Sequence, residues 1–164
     1  VAVGGGDLST TPAIRALRAA GVPFDEHRYR YEERGGTRVS ARELGVDEHI
    51  VVKTLVLHDD ERRLLLVLMH GDCDVSLKAL ARVLGVKRVD PADAAAAQRA
   101  TGYQFGGTSP FGTRQSLPTF VERSVLALPR IYINGGARGL LVSLSPRALP
   151  RLLSFTAVDV AIAP

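Results

Sequence analysis

One lysine stands inside an apolar run: Lys53, in Ile50-Val51-Val52-Lys53-Thr54-Leu55-Val56-Leu57. The run reads as a strand, and side chains alternate faces along a strand, so Val51, Lys53, Leu55 and Leu57 share one side. An ammonium group among aliphatics needs an edge, a partner or a pocket. Two readings stay open from this segment: a gatekeeper on an edge strand that discourages sheet-to-sheet aggregation, or a functional cation in a cleft. Composition leans toward the second. Of 21 basic residues only Lys53, Lys78 and Lys87 are lysine, so a lysine kept here points to a need for a compact charge or a deprotonatable amine.

Two glycine clusters are the other candidates for chemistry. In Thr101-Gly102-Tyr103-Gln104-Phe105-Gly106-Gly107-Thr108-Ser109-Pro110-Phe111-Gly112, the stretch Gly106 to Pro110 lets backbone approach a ligand and can aim amide N–H groups at one point. Such a nest binds a carboxylate or phosphate, or acts as an oxyanion hole for an attacked ester. A loop of two turns explains the same residues without chemistry. No Gly-Lys-Ser/Thr follows, which excludes a P-loop, and no G-x-G-x-x-G joins a strand to a helix. The second cluster, Asn134-Gly135-Gly136-Ala137-Arg138-Gly139, reads as a hairpin turn, although it has more conformational freedom than a turn requires.

Other reactive residue types fall away. His27, His49, His58 and His70 show no metal-ligand spacing. Cys73 lies between Asp72 and Asp74, whose charges raise a thiol pKa and disfavour a nucleophile. Ser109 lacks a G-x-S-x-G elbow and a His/Asp partner set.

The elements that must position these residues alternate without a linker. Thr11 as N-cap with Pro12 at the first helical position starts a helix that turns Ile14 and Leu17 inward and stops at Gly21. Phe24 to Tyr31 alternates as a strand. Ser40 with Glu43 reads as a capping box for a short helix ending at Gly45. Val52 to His58 and Leu64 to His70 form a hairpin through Asp59 to Arg63. Ser76 caps a helix with Leu77, Leu80, Ala81 and Leu84 on one face, ending at Gly85, and Lys87 to Val89 is a short strand. Asp90-Pro91 opens an Ala-rich helix closed by Gly102. Arg130 to Asn134 and Leu140 to Leu144 are strands flanking the second glycine cluster, and Ser145-Pro146 begins a last helix through Leu153. Hairpins mixed with helices predict an α/β fold with a mixed, largely antiparallel sheet and packed helices.

A chain of 164 residues with 46% hydrophobic and 23% charged residues is an ordinary single-domain globule. Residues 1–9, with Gly4-Gly5-Gly6, read as a disordered tail or cloning remnant, leaving 10–164 as the domain. A single Cys excludes an intramolecular disulfide. No run reaches transmembrane length, so a reducing cytoplasm without membrane attachment is expected. The net charge of +4 suits a polyanionic partner.

Taken together, several segments of this sequence resemble one family. They are Thr11-Pro12-Ala13, Phe24-x4-Tyr29, Val52-Lys53-Thr54-Leu55, Ala97-Gln98-Arg99-x-Thr101-Gly102-Tyr103, Gly106-Gly107-x-Ser109-Pro110-x-Gly112 and Ile131-Tyr132-x-x-Gly135-Gly136-x-Arg138-Gly139. In register from about Thr11 to Asp159, the chain resembles the YbaK/ProX aminoacyl-tRNA deacylases, a family related to the editing insertion of bacterial prolyl-tRNA synthetase. The resemblance implies a fold like that editing domain, with a pocket for the aminoacylated 3′ end of mischarged tRNA. It puts the essential lysine on Lys53 and the Gly-x-x-x-Pro loop on Gly106, Gly107, Thr108, Ser109 and Pro110. The pocket tyrosine falls on Tyr29, and the second glycine loop on Gly135 and Gly136. Lys53 and Gly106 are then the catalytic positions, and the others bind substrate.

The implied activity is trans-editing of a Cys-tRNA(Pro)-type or an Ala/Ser-type substrate. It requires no metal and no other cofactor. Aminoacyl-tRNA is the partner, with prolyl-tRNA synthetase as a candidate second one. Attack comes from water, or from the thiol of a cysteinyl substrate, a cyclisation formally classed as a lyase reaction. The chain departs from the YbaK-type pattern at Asn134, where serine is usual, at Ala137, where a basic residue is usual, and at a short loop with Gly35-Gly36-Thr37. These positions border the amino-acid pocket in the family, so they bear on substrate choice. A binding module for a tRNA end or nucleotide, without turnover, is the alternative class.

Overall fold

The computed structural model describes residues 10–164; the tail expected over residues 1–9 lies outside them. Helix α1 is Pro12–Ala19, and the Thr11 hydroxyl accepts from the Ile14 amide at 3.1 Å as its cap. Gly21 follows at φ +67, the left-handed turn that ends it. Strand β1 is shorter than the alternation predicts, Asp25–Arg28, because the chain leaves the sheet at Tyr29 to line a cavity. Helix α2, Gly36–Leu44, starts four residues before the expected Ser40 cap. Ser40 is buried inside it and donates to the Thr37 carbonyl at 3.2 Å, so the capping-box reading fails. The stop at Gly45, φ +68, is as read from the sequence.

Strands β2 (Val51–Asp59) and β3 (Leu64–His70) form the central hairpin. The Asp59 carboxylate accepts from the Glu61 and Arg63 amides at 2.9 Å in its turn. After β4 (Asp74–Val75), Ser76 caps α3, Leu77–Leu84. Strand β5 is Val89–Pro91, and the Ala-rich helix α4 spans Ala94–Thr101. Its cap is Asp93, which accepts from the Ala96 amide, and not the expected Asp90. Strand β6 (Thr119–Glu122), which no pattern had marked, leads to the short α5, Arg123–Leu126. The hairpin β7 (Ile131–Ala137) and β8 (Leu140–Leu144) follows. The chain closes with a 3-10 turn at Pro146–Ala148, α6 (Leu149–Leu152), β9 (Thr156–Val158) and β10 (Ala161–Ile162).

The main sheet has the order β1-β8-β7-β2-β3-β6-β9, and most of its pairings are antiparallel; β2–β7, β3–β6 and β6–β9 are parallel. Val52, Leu68, Ile133 and Val142 face one side and pack with Ile14 and Leu17 of α1. Leu57, Leu65, Val67 and Met69 face the other and pack against Leu80 of α3. A smaller cluster joins Val51 and Leu141 to Ala41 of α2.

Strand β2 has unevenly shared flanks. Its β3 side is paired from Val52 to His58. Its other side is shared: β7 pairs only at Val51 and Val52, and β5 only from Leu57 to Asp59. The Ala92 amide takes the Val56 carbonyl at 3.0 Å, so Lys53 to Leu55 sit on a gap in the sheet, without a strand on that flank among the described residues. The edge-strand gatekeeper reading is thus corrected: Lys53 lies on an interior strand, at a local opening made where two neighbours diverge.

Candidate active site

A cavity of about 850 Å³ opens at this gap, a size suited to a small ligand. Every residue from Val51 to Leu57 lines it. Consecutive residues point to opposite faces, so the cavity meets the strand along its flank, where backbone as well as side chains can be reached. Thr54 Oγ1 is buried there without a hydrogen-bond partner.

Lys53 is held at the wall of this cavity with its side chain 24% exposed. Its ammonium donates to the Gly71 carbonyl at 3.4 Å and lies 4.0 Å from the exposed Asp74 carboxylate. Gly71 itself is tightly placed. Its amide donates to the Val51 carbonyl at 2.7 Å, and a Cβ on it would come within 2.6 Å of Thr37 Oγ1. The Thr37 hydroxyl in turn lies 2.7 Å from a Glu48 carboxylate oxygen and 3.1 Å from the same Gly71 carbonyl, with one proton to donate between them. The lysine head is thus directed by backbone that has little room to move.

Gly106 and Thr108 line the same cavity as Lys53. Gly106 has φ +87, and a Cβ there would meet the Tyr31 hydroxyl at 2.5 Å, so only glycine fits. The rest of the Gly106-to-Pro110 loop stands behind the wall. The Gly107 amide is spent on the Gln104 carbonyl at 2.9 Å, and a side chain at Gly107 would strike the backbone of Ala137 and Arg138. Ser109 is fully buried and its hydroxyl accepts from the Phe111 amide; Pro110 is buried too. These residues shape the loop and leave the cavity face to Gly106 and Thr108.

Gly135 and Gly136 are not in a hairpin turn. They form a bulge within β7, between Asn134 and Ala137, while the turn itself falls at Arg138 and Gly139. A Cβ on Gly135 would meet Leu140, and one on Gly136 would meet Tyr103 and Thr11, so both glycines allow close packing behind the site. Asn134 lines the cavity, but its amide is already committed. Its oxygen accepts from the Gly136 and Ala137 amides at 2.6 and 3.2 Å, and its nitrogen donates to the Gly106 carbonyl at 3.2 Å. One side chain therefore ties the two glycine segments together. Tyr29 also lines the cavity, and burial pushes its hydroxyl pKa above the usual value.

Sequence reasoning missed Tyr31, Phe105 and Arg138 as a group. The Arg138 guanidinium lies 5.2 Å from the Tyr31 ring centre and donates to the Phe105 carbonyl at 2.9 Å. It also missed a potential metal-ligand set. The His49 ring nitrogen, an Asp72 oxygen and the Cys73 sulfur all lie within 4.8 Å of one another, donors suited to a borderline divalent ion. As they stand, they hydrogen-bond one another: His49 to Asp72 at 2.8 Å and the thiol to Asp72 at 3.5 Å. Burial first, and then Asp72, push the Cys73 thiol pKa up. His49 also stacks on the buried His70, which bridges the His49 carbonyl and the Ser124 hydroxyl. His27 and His58 have ordinary partners in Ser143 and the Asp59 carbonyl.

A cation at a sheet gap thus shares one cavity with a glycine loop. The aminoacyl-tRNA editing domain family matches residues 34–152, and the chain belongs to that family. It is 29% identical over 140 residues to EbsC of Enterococcus faecalis, named as a candidate Cys-tRNA(Pro)/Cys-tRNA(Cys) deacylase, covering 85% of each chain. It is also 29% identical over 108 residues to a proline–tRNA ligase of Desulforamulus reducens, covering 65% of this chain but 19% of the ligase. A crystal structure of a hypothetical protein superposes with TM-score 0.84 at 25% identity, over 93% of this chain and 100% of that one. A candidate trans-editing enzyme for prolyl-tRNA synthetase superposes at 0.79 with 23% identity, over 94% and 99%, a likeness of fold. No helix among the described residues is long and apolar enough to cross a membrane.

Proposed function

We propose that this protein is a trans-editing aminoacyl-tRNA deacylase, acting in the cytoplasm on tRNA that carries the wrong amino acid. The observation that carries this reading is Lys53 at the sheet gap, sharing one cavity with Gly106 in a chain of the editing-domain family. The ester carbonyl sits between them. As water adds to the carbonyl carbon, charge grows on its oxygen, and the Lys53 ammonium stabilises it while the Gly106 backbone, with no side chain in the way, lets the ester come close. The bond from that carbon to the ribose oxygen then breaks. The ribose oxygen takes up a proton, releasing free amino acid and tRNA.

No enzyme nucleophile takes part. The Cys73 thiol is buried with a raised pKa, and Ser109 is turned inward. With a cysteinyl substrate, the substrate's own thiol replaces the water. The EbsC likeness supports a cysteinyl group, and alanine or serine is the other small side chain in question. EbsC and the ligase relatives support tRNA(Pro) as the carrier and prolyl-tRNA synthetase as a partner.

The test is single-turnover deacylation of a panel of correctly and wrongly charged tRNAs by wild type and Lys53→Ala, with thermal unfolding of both. We expect consumption of a mischarged tRNA by wild type, its loss in the variant, and an unchanged unfolding transition. A protein that only slowed spontaneous hydrolysis across the panel would be a binding module, and the deacylase reading would fall.

A further inference from the structure

We infer that Phe105 is a stacking platform for the terminal nucleobase of the RNA whose ester is edited; this rests on the deacylase reading. Phe105 is 72% exposed, the most exposed of the large hydrophobic side chains among the described residues, and it lines the rim of the cavity that holds Lys53. Val83 and Ile162, the other exposed ones, lie elsewhere. The backbone under Phe105 is fixed. Its carbonyl accepts from Arg138, whose guanidinium rests over the Tyr31 ring. The next residue, Gly106, is tied through its own carbonyl to Asn134. An apolar ring left in water on a fixed support is organised in advance for a flat partner.

The substrate supplies that partner. An ester held between Lys53 and Gly106 hangs from a ribose, and the base on that ribose must emerge at the cavity rim. Unstacked bases at single-stranded RNA ends are commonly received on aromatic faces, with a nearby guanidinium for base or phosphate. Phe105 offers the face and Arg138 the cation.

The experiment uses an uncharged RNA minihelix with a single-stranded 3′ end whose terminal adenine is replaced by fluorescent 2-aminopurine. Titration with wild type should quench the fluorescence through stacking. Phe105→Ala and Phe105→Leu should abolish the quench and weaken binding roughly tenfold, within the range for loss of one base–aromatic stack. Phe105→Trp should restore both, and kcat/KM for a charged substrate should follow the same order. Equal quenching and affinity in Phe105→Ala, or rescue by leucine as good as by tryptophan, would overturn the platform. The probe needs no turnover, so the two readings fail separately. Quenching by a wild type that deacylates nothing would support the platform and sink the deacylase. Deacylation indifferent to Phe105 would do the reverse.

Discussion

Lys53 occupies a position where its charge has weak competition: a carbonyl at 3.4 Å and an exposed carboxylate at 4.0 Å. A surface pair of that geometry is worth little, so the ammonium is available to a substrate oxygen. Shape matters beside charge, since a guanidinium is larger, planar and anchored differently. Lys53→Arg should therefore lower single-turnover deacylation by roughly 10² or more, as removal of an oxyanion donor does, while fold and RNA binding are kept. Near-wild-type rates in that variant would show that any cation suffices. Asn134 acts by another route. The sequence suggested a polar partner for the amino acid, yet all its polar atoms are engaged with backbone. A serine hydroxyl can replace the bond to the Gly136 amide but cannot also reach the Gly106 carbonyl. Asn134→Ser should then lower kcat/KM several-fold for every substrate alike, and a change confined to the ratio between cysteinyl and alanyl substrates would restore the selectivity role.

Among the elements, the β2–β3 turn and the α1 cap join local sequence to the position of the site. Asp59 is buried at the hairpin end. Burial by itself would raise its pKa, but the Arg63 amide and guanidinium and the Glu61 amide outweigh that and hold it below the usual carboxylate value. A depressed folded-state pKa means stability present above the unfolded pKa and lost as pH falls through the folded one. Asp59→Ala should thus lower Tm at pH 7, and the gap to wild type should narrow as pH drops below about 4. A pH-independent gap would assign the loss to packing. Thr11 caps α1 and also donates to the Gly135 carbonyl, tying the helix to the bulge behind the cavity. Thr11→Val should cost about 1 to 2 kcal/mol by chemical unfolding.

The whole molecule carries a net charge of +4; Arg34 lines the cavity, and Arg138 stands at its rim beside Tyr31 and Phe105. Binding of an RNA minihelix should weaken with salt, log Kd rising with log salt by about 0.7 for each single-strand phosphate neutralised. A flat salt dependence would show that the 3′ nucleoside is held without the backbone. At this scale the legible part of the fold is its inventory. The hairpin β2–β3, the helix caps at Thr11 and Ser76, and the stops at Gly45 and Gly85 follow from patterns a few residues long. The short strands β6 and β9 did not show, because their parallel pairing with β3 and with each other places the sequence signal far from the segment it stabilises; β10 did not show because its two residues pair only with the equally short β4.

By itself the sequence determined the candidates: a lysine on an aliphatic strand, a glycine loop ending in proline, and the family to which their combination belongs. Each is a matter of residue type and local spacing. Only the tertiary structure decided which of them face the cavity. The gap beside Lys53 exists because β7 and β5 pair with opposite ends of β2 and leave its middle uncovered, a long-range register that no local pattern encodes. The same packing turned Ser109 inward, committed the Asn134 amide to backbone, and left Phe105 in water beside Arg138. A side chain's neighbours across the sheet, more than its neighbours in the chain, fix which of its atoms remain free to bind.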